Sequence, residues 1–212
     1  LVAYTSGTTG RPKGTVHTHV GFLAKTLLDF HLCFDMKPAD RLLWMTDIGW
    51  LVGPIQIVAA TSLGATLVLA EGTPDFPEPD RLWRIVARHR VSFLGLGPTI
   101  ARLMARQGDA APARHDLSSL RIAVSAGETL PAPVFEEWTT KTGTPILDGI
   151  GSTELLHIFI TNRVGDARAG ATGKPVTGYI GKIVDKDMKE VARGDIGLAE
   201  AQLFARRHAD HL

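Results

Sequence analysis

The residues most suited to chemistry stand near the start of the chain, in the run Thr5-Ser6-Gly7-Thr8-Thr9-Gly10-Arg11-Pro12-Lys13-Gly14. Small side chains at 6–10 let a backbone approach an anion closely, and glycines at 7, 10 and 14 permit the positive φ that a nest of N–H groups requires. The hydroxyls of Thr5, Ser6, Thr8 and Thr9 add donors, and Lys13 adds a compact positive charge. That set suits the phosphates of a nucleotide. It is not a Walker loop, in which the lysine directly follows a glycine and precedes Ser or Thr; here Lys13 lies between Pro12 and Gly14. The same composition also fits a Gly/Thr turn that binds nothing.

Such a loop needs elements to hold it. Leu1–Thr5 reads as a buried strand, of the kind that sits centrally in a sheet, and Ser6–Gly14 as the loop it feeds. From about His19 to Cys33, Val20, Leu23, Leu27, Leu28 and Leu32 recur at helical spacing. Strands are expected at 41–45, 66–70, 92–95, 120–125 and 145–147. Helices are expected at 51–62, closed by Gly64, at 79–90 with Leu82, Ile85, Val86 and His89 on one face, at 98–107, and at 130–142, opened by Pro131. Asp47–Gly49 reads as a turn and 71–79 as a proline-rich loop. The alternation predicts an α/β fold, a parallel sheet with flanking helices. From Tyr179 the pattern changes to a hairpin with its turn at Asp185–Lys189, and the last fifteen residues, rich in Ala and Leu, read as helical.

Bulk properties narrow the class. The 212 residues carry 23 Lys plus Arg against 22 Asp plus Glu, a formal charge of +1. This balance argues against a nucleic-acid-binding surface or a polybasic membrane patch. The single cysteine, Cys33, excludes an internal disulfide and fits a reducing, cytoplasmic setting; its apolar neighbours make it a buried small hydrophobe. The longest apolar run, around 55–60, is far below the roughly 18 residues of a membrane span.

Three stretches together resemble the adenylate-forming, AMP-binding superfamily, which includes acyl- and aryl-CoA ligases and peptide-synthetase adenylation domains. "YTSGTTGRPKG" matches its phosphate-loop signature throughout, "SAGETL" at Ser125–Leu130 is similar to its adenine-side loop, and "ILDGIGSTE" at Ile146–Glu154 is similar to its aromatic–Gly–x–Thr–Glu segment. "DGIGSTELLHIF" with "GATGKPVTGY" resembles the benzoate and aminobenzoate CoA ligases, whereas "TDIGWLVGP" resembles the acetate and medium-chain type; the subfamily stays open.

The resemblance implies an α/β core over 1–178, incomplete at its amino end, the start of a small β-subdomain over 179–212, and an enzyme that adenylates a carboxylic acid with ATP and Mg²⁺ before passing the acyl group to coenzyme A. It implies that Thr5, Ser6, Gly7, Thr8, Thr9, Gly10 and Lys13 hold phosphates, and that Gly127, Glu128 and Thr129 form the adenine-side loop. Asp148, Gly149, Ile150, Gly151, Ser152 and Thr153 join them, with Asp148 at the adenine amine and Thr153 near the α-phosphate. Glu154 is the implied Mg²⁺ carboxylate, and Thr153, Glu154 and Lys13 the implied catalytic set. Ile150 replaces the tyrosine that stacks on adenine in many members. Gly151 stands where short-acid members carry a tryptophan, which implies a deeper acid pocket lined by Trp50, Gly149, Gly151 and Leu155, and an aromatic or medium-chain acid.

The family's ribose-binding Thr-Gly-Asp segment and its C-terminal lid with the catalytic lysine do not occur among these residues. The sequence is therefore expected to be part of a longer enzyme, with little turnover by itself. A non-catalytic nucleotide-binding remnant, or an adenylation domain that loads a carrier protein, are the alternatives. Among the histidines, His17, His19, His208 and His211 carry no assigned role, and His157 reads as a partly buried, satisfied side chain.

Overall fold

The computed structural model describes residues 1–5, 12–195 and 197–203. Its first strand, β1 (Val2–Thr5), pairs antiparallel with β2 (Lys13–Val16) in a separate two-stranded sheet. Val2 and Tyr4 are exposed. The expected buried, central strand is thus corrected to an exposed hairpin arm, and Lys13 and Gly14 lie in a strand rather than a loop.

Thr18 caps the first helix, its Oγ1 accepting from Gly21 N at 3.1 Å. The α-helix α1 (His19–Leu27) runs on as a π-helical turn over Leu28–Cys33. The helix is where its periodicity placed it, but the face is not. Val20 and Leu23 are exposed and so is Leu32, while Phe22, Thr26, Asp29, Phe30 and Cys33 are buried. The wider π turn over Leu28–Cys33 shifts the phase at Leu32; Val20 and Leu23 precede it, and there the buried positions are Phe22 and Thr26.

The main sheet has seven strands. Chain order runs β3 (Arg41–Trp44), α2 (Val52–Leu63), β4 (Thr66–Val68), α3 (Arg81–His89), β5 (Phe93–Leu96), α4 (Pro98–Ala105), α5 (Ala110–Ala113), β6 (Ile122–Ala126), α6 (Ala132–Thr142), β7 (Ile146–Gly151), β8 (Ile158–Thr161) and β9 (Lys174–Pro175). The sheet order is β4-β3-β5-β6-β7-β8-β9, parallel from β4 to β7 and antiparallel through β8 and β9. The fold is therefore the expected α/β one, with an antiparallel edge that the alternating pattern did not signal.

Successive strand residues point to opposite faces, and both faces are covered. Leu42, Phe93, Ile122 and Val124 pack with Phe22, Phe30, Phe34 and Ile55 on the side of α1 and α2. Leu43, Leu94, Leu96 and Ala123 pack with Leu82, Trp83, Met104 and Trp138 on the side of α3, α4 and α6. On α3, Trp83 is buried and the expected core position His89 is exposed. At the amino ends of the strands, buried Asp40 accepts from Ser92 Oγ at 2.7 Å and from Lys37 N at 2.7 Å, and pairs with Arg121 at 2.5 Å. That end of the sheet is a structural lock, which leaves the carboxyl ends for ligands.

Beyond β9, β10 (Tyr179–Val184) pairs antiparallel with β11 (Leu198–Leu203). The turn at Asp185–Lys189 is present, with Asp185 Oδ1 accepting from the backbone of Asp187 and Lys189. Just past that turn the expected hairpin closes briefly, Glu190 bridging Val184 and Val191 N donating to Ile183 O at 3.0 Å, while the full ladder of β10 is made with β11. Leu198–Leu203 is a strand, which overturns the expected helix there; His208, His211 and the rest of the tail lie outside the described residues.

Candidate functional site

The parallel register of β6 and β7 sets Ser125 beside Asp148 and Ala126 beside Gly149. The chain then leaves both strands at their carboxyl ends, where open α/β sheets bind ligands. A cleft of about 280 Å³ opens there, lined by Gly127, Glu128, Thr129, Asp148, Gly149, Ile150, Gly151 and Thr172. Two sequence motifs about twenty residues apart are thereby brought to one cavity. Glu128 is exposed and accepts from Thr99 Oγ1 at 3.0 Å. Asp148 is buried, and its Oδ1 has no hydrogen-bond partner. Burial pushes its carboxyl up to about 6, against the opposing pull of the Thr172 side chain and the Gly149 backbone. A buried carboxylate oxygen without a partner at a cleft wall is an acceptor available to a ligand donor.

Thr172 lies in the stretch "GATGKPVTGY", but the sequence assigned it no role. It arrives because β8 and β9 fold back along β7, a connection that the strand–helix alternation did not predict.

After β7 the chain makes a tight turn through Ser152–His157. Ser152 N donates to His157 O at 3.0 Å and Leu156 N to Thr153 O at 3.1 Å. Ser152 Oγ accepts from Leu155 N at 3.2 Å. Thr153 is half-buried and Glu154 exposed. A Cβ built on Gly151 would lie 2.4 Å from the carbonyl oxygen of His157. The glycine is therefore required by the close approach of two backbone segments, and the space beside it is filled by backbone rather than by an enlarged pocket.

The hairpin brings Thr5 and Lys13 opposite one another, so both ends of the phosphate-loop motif meet at its neck. Ser6, Gly7, Thr8, Thr9 and Gly10 lie outside the described residues. His17, just past β2, reaches the turn: its Nε2 sits 2.8 Å from the carbonyl oxygen of Thr153. The hairpin and the Thr153–Glu154 turn are thus joined directly, through a histidine to which the sequence assigned no role.

The four residues expected to line one acid pocket are separated. Trp50, largely exposed, shares a cleft of about 520 Å³ with Tyr4, Leu51, Pro54 and Thr153. Gly149 and Gly151 belong to the cleft of Asp148. Leu155 lines neither, its carbonyl instead accepting from Tyr179 Oη at 3.1 Å. A larger cavity, about 870 Å³, lies at the carboxyl ends of β3 and β4 among Trp44, Thr46, Asp47, Gln56, Leu69 and Ile100. His157 is buried rather than partly exposed; Nδ1 meets Asp29, but Nε2 has no partner.

Among the described residues, no group of three or more His, Cys, Asp or Glu could hold a metal. Glu154 remains as a single carboxylate. That is the protein donor set Mg²⁺ accepts when phosphate oxygens and water complete its shell. Among the described residues no helix is long and apolar enough to cross a membrane.

Fold and site together define an α/β domain with a mostly parallel, doubly covered sheet and ligand-sized clefts at the carboxyl ends of its strands. The chain belongs to the AMP-binding enzyme family, whose model matches residues 1–200. It is 39% identical over 204 residues to an acetyl-coenzyme A synthetase of Streptomyces avermitilis, covering 93% of this chain and 31% of that protein. It is 36% identical over 205 residues to the corresponding enzyme of Deinococcus radiodurans, again covering 93% of this chain and 31% of the relative. Among solved structures it is similar to the anthranilate CoA ligase AuaEII in complex with anthranoyl-AMP, with a TM-score of 0.86 and 35% identity over 95% of this chain and 38% of that one. A benzoate CoA ligase from Burkholderia xenovorans LB400 gives a TM-score of 0.81 and 33% identity over 93% of this chain and 39% of that one. The chain therefore spans about a third of the length of the curated relatives it matches.

Proposed function

We propose that this chain is the nucleotide-binding core of an ATP-dependent carboxylic acid–CoA ligase. The observation that carries the reading is the single cleft at the ends of β6 and β7 that gathers Gly127–Thr129 and Asp148–Gly151. In this reading the cleft takes the adenine, with the unpartnered Asp148 oxygen accepting from its exocyclic amine when ionised. Ile150, 38% exposed, packs an aliphatic face on the ring in place of an aromatic stack. Thr5 and Lys13 hold the neck of the phosphate loop, and Thr153 offers its hydroxyl toward the α-phosphate from the turn that His17 braces.

Glu154 is the residue that would hold Mg²⁺, which when bound neutralises phosphate charge. The reaction gathers polyanions: the acid's carboxylate attacks the α-phosphorus, the bond to pyrophosphate breaks, and the acyl group of the adenylate then passes to the thiol of coenzyme A as its bond to AMP breaks and AMP leaves. The contribution of this chain is positioning and charge compensation, through the Lys13 ammonium, the Thr153 hydroxyl and the backbone N–H groups of the loop. The curated relatives are about three times the length of this chain, and the complete two-step reaction is proposed for a protein of that length.

We further propose an acid larger than acetate, with aromatic acids favoured. The structural likeness to anthranilate and benzoate CoA ligases supports it, while the acetyl-coenzyme A synthetase relatives make acetate the competing substrate. ATP–pyrophosphate exchange by a protein of that length containing this chain, with acetate, octanoate, benzoate and anthranilate, separates the two. Exchange driven by the aromatic acids is expected; a clear acetate preference would overturn the substrate reading, and exchange with none of the acids would overturn the ligase reading.

A further inference from the structure

Beneath the turn that carries Thr153 and Glu154 lies a buried ionic cluster for which the proposed chemistry has no use. Asp29 is fully buried in the π-helical turn after α1. Lys25 places Nζ 2.5 and 2.6 Å from its two carboxylate oxygens. His157 places Nδ1 2.9 Å from Oδ2 of the same group. Lys25 also donates to the carbonyl oxygen of Ile158 at 2.5 Å, and its ammonium stands 5.1 Å from the centre of the Tyr179 ring. The Tyr179 hydroxyl in turn donates to the Leu155 carbonyl at 3.1 Å. Leu155, His157 and Ile158, the residues on which these contacts converge, form the exit of the turn.

Two features indicate that the cluster holds the turn rather than merely filling space. The turn contains Leu156 at a φ of 75°, a left-handed conformation that persists in a branched residue only where its surroundings over-determine it. And a buried ion pair is a poor source of net stability: apolar side chains of similar volume serve as well or better. Burial lowers the Lys25 pKa, against the opposing attraction of Asp29. What the charges add is direction. A carboxylate only accepts, so His157 meets Asp29 as a donor through Nδ1–H, and the ring is fixed in plane by Phe30, stacked at 5.8 Å and 14°, and by Phe34 and Trp44 edge-on.

We propose that Asp29, with Lys25 as its counter-charge, is a positioning residue that sets the Ser152–His157 turn through His157, and so places Thr153 and Glu154. The consequence for nucleotide binding rests on the function proposed above; the mechanical part does not.

The test uses the whole chain with ¹⁵N-labelled histidine and two double variants. In the parent, His157 is expected to carry a proton on Nδ1. Replacing both charges by apolar groups, K25M/D29L, removes the acceptor without stranding a charge. The amides of Ser152 and Leu156 then exchange about tenfold faster while those of β5 and β6 keep parental rates, and Mg-ATP affinity falls by a similar factor. K25M/D29N retains an acceptor for Nδ1–H and restores both amides toward parental rates. Equal exchange in the two variants, or a parental His157 with no proton on Nδ1, overturns the proposal; if both variants fail to fold, the parental imidazole signature decides. A turn that loosens in K25M/D29L with no change in Mg-ATP affinity, or a parent that binds no Mg-ATP, counts against the nucleotide reading and leaves the positioning role standing.

Discussion

The Nε2–H of His17 donates to the carbonyl oxygen of Thr153 across 2.8 Å, and that bond joins the hairpin at the phosphate-loop motif to the turn bearing Thr153 and Glu154. The two segments are 136 residues apart in sequence and belong to different sheets. Removing the donor with His17→Phe is expected to weaken Mg-ATP binding about fivefold, the value of one side chain–backbone hydrogen bond of about 1 kcal/mol. Thermal stability should change little, since the site is only half-buried. His17→Gln keeps a donor and should recover most of the loss. Calorimetric titration of the three proteins checks this; equal affinities would show that the bond does not couple the two halves.

The Asp148 carboxyl gives the chain a distinctive pH dependence. Its folded pKa is raised from 3.8 to about 6 by burial, so between those values the folded state holds a proton that the unfolded state has released. Stability supplied by the neutral form is therefore complete below about pH 4 and is lost as pH rises through 6, a swing of up to about 3 kcal/mol. Asp148→Asn should flatten this part of the stability profile, measured by urea unfolding at a series of pH values. The same variant should weaken binding of adenine nucleotides at pH 7.5, where the parent is ionised. A profile identical to that of the parent would contradict the burial of this group.

Gly151 is predicted to tolerate no side chain. A Cβ there would lie 2.4 Å from a backbone oxygen, and backbone gives way less readily than a flexible side chain. Gly151→Ala should cost about 1–3 kcal/mol, lowering Tm by several degrees, and should disturb Mg-ATP binding through the displaced turn. Gly97→Ala is the control, since a Cβ at that position meets nothing within 4 Å. If the two variants melt alike, the close approach at Gly151 does not constrain the turn.

Much of the fold was legible because βαβ units write themselves locally. Short apolar strands and amphipathic helices alternate, and Gly64 and Pro131 mark helix ends at the places the structure confirms. The buried face of α1 was not legible, because Phe22 and Thr26 rather than Val20 and Leu23 turn inward; beyond it a π turn changes the helical period without changing composition. Nor was the antiparallel edge. β8 follows the turn closely, β9 is two residues long, and the partner of β10 comes from a stretch rich in Ala and Leu. In that stretch strand pairing overrode helix propensity. The cleft residues Gly127–Thr129 and Asp148–Gly151 could be named from their motifs, and the parallel register of β6 with β7 brings them together. Thr172, His17, Lys25 and Asp29 could not be named in this way, since their contribution depends on contacts that no local spacing encodes.

The most direct test of the central claim is calorimetric titration of ATP into this chain with and without Mg²⁺, in the parent and in Glu154→Gln. Saturable one-to-one binding is predicted, strengthened by Mg²⁺ in the parent and indifferent to it in Glu154→Gln, with the variant retaining the Tm of the parent because Glu154 is exposed. Absence of saturable ATP binding, or a Mg²⁺ dependence that survives the loss of Glu154, would contradict it.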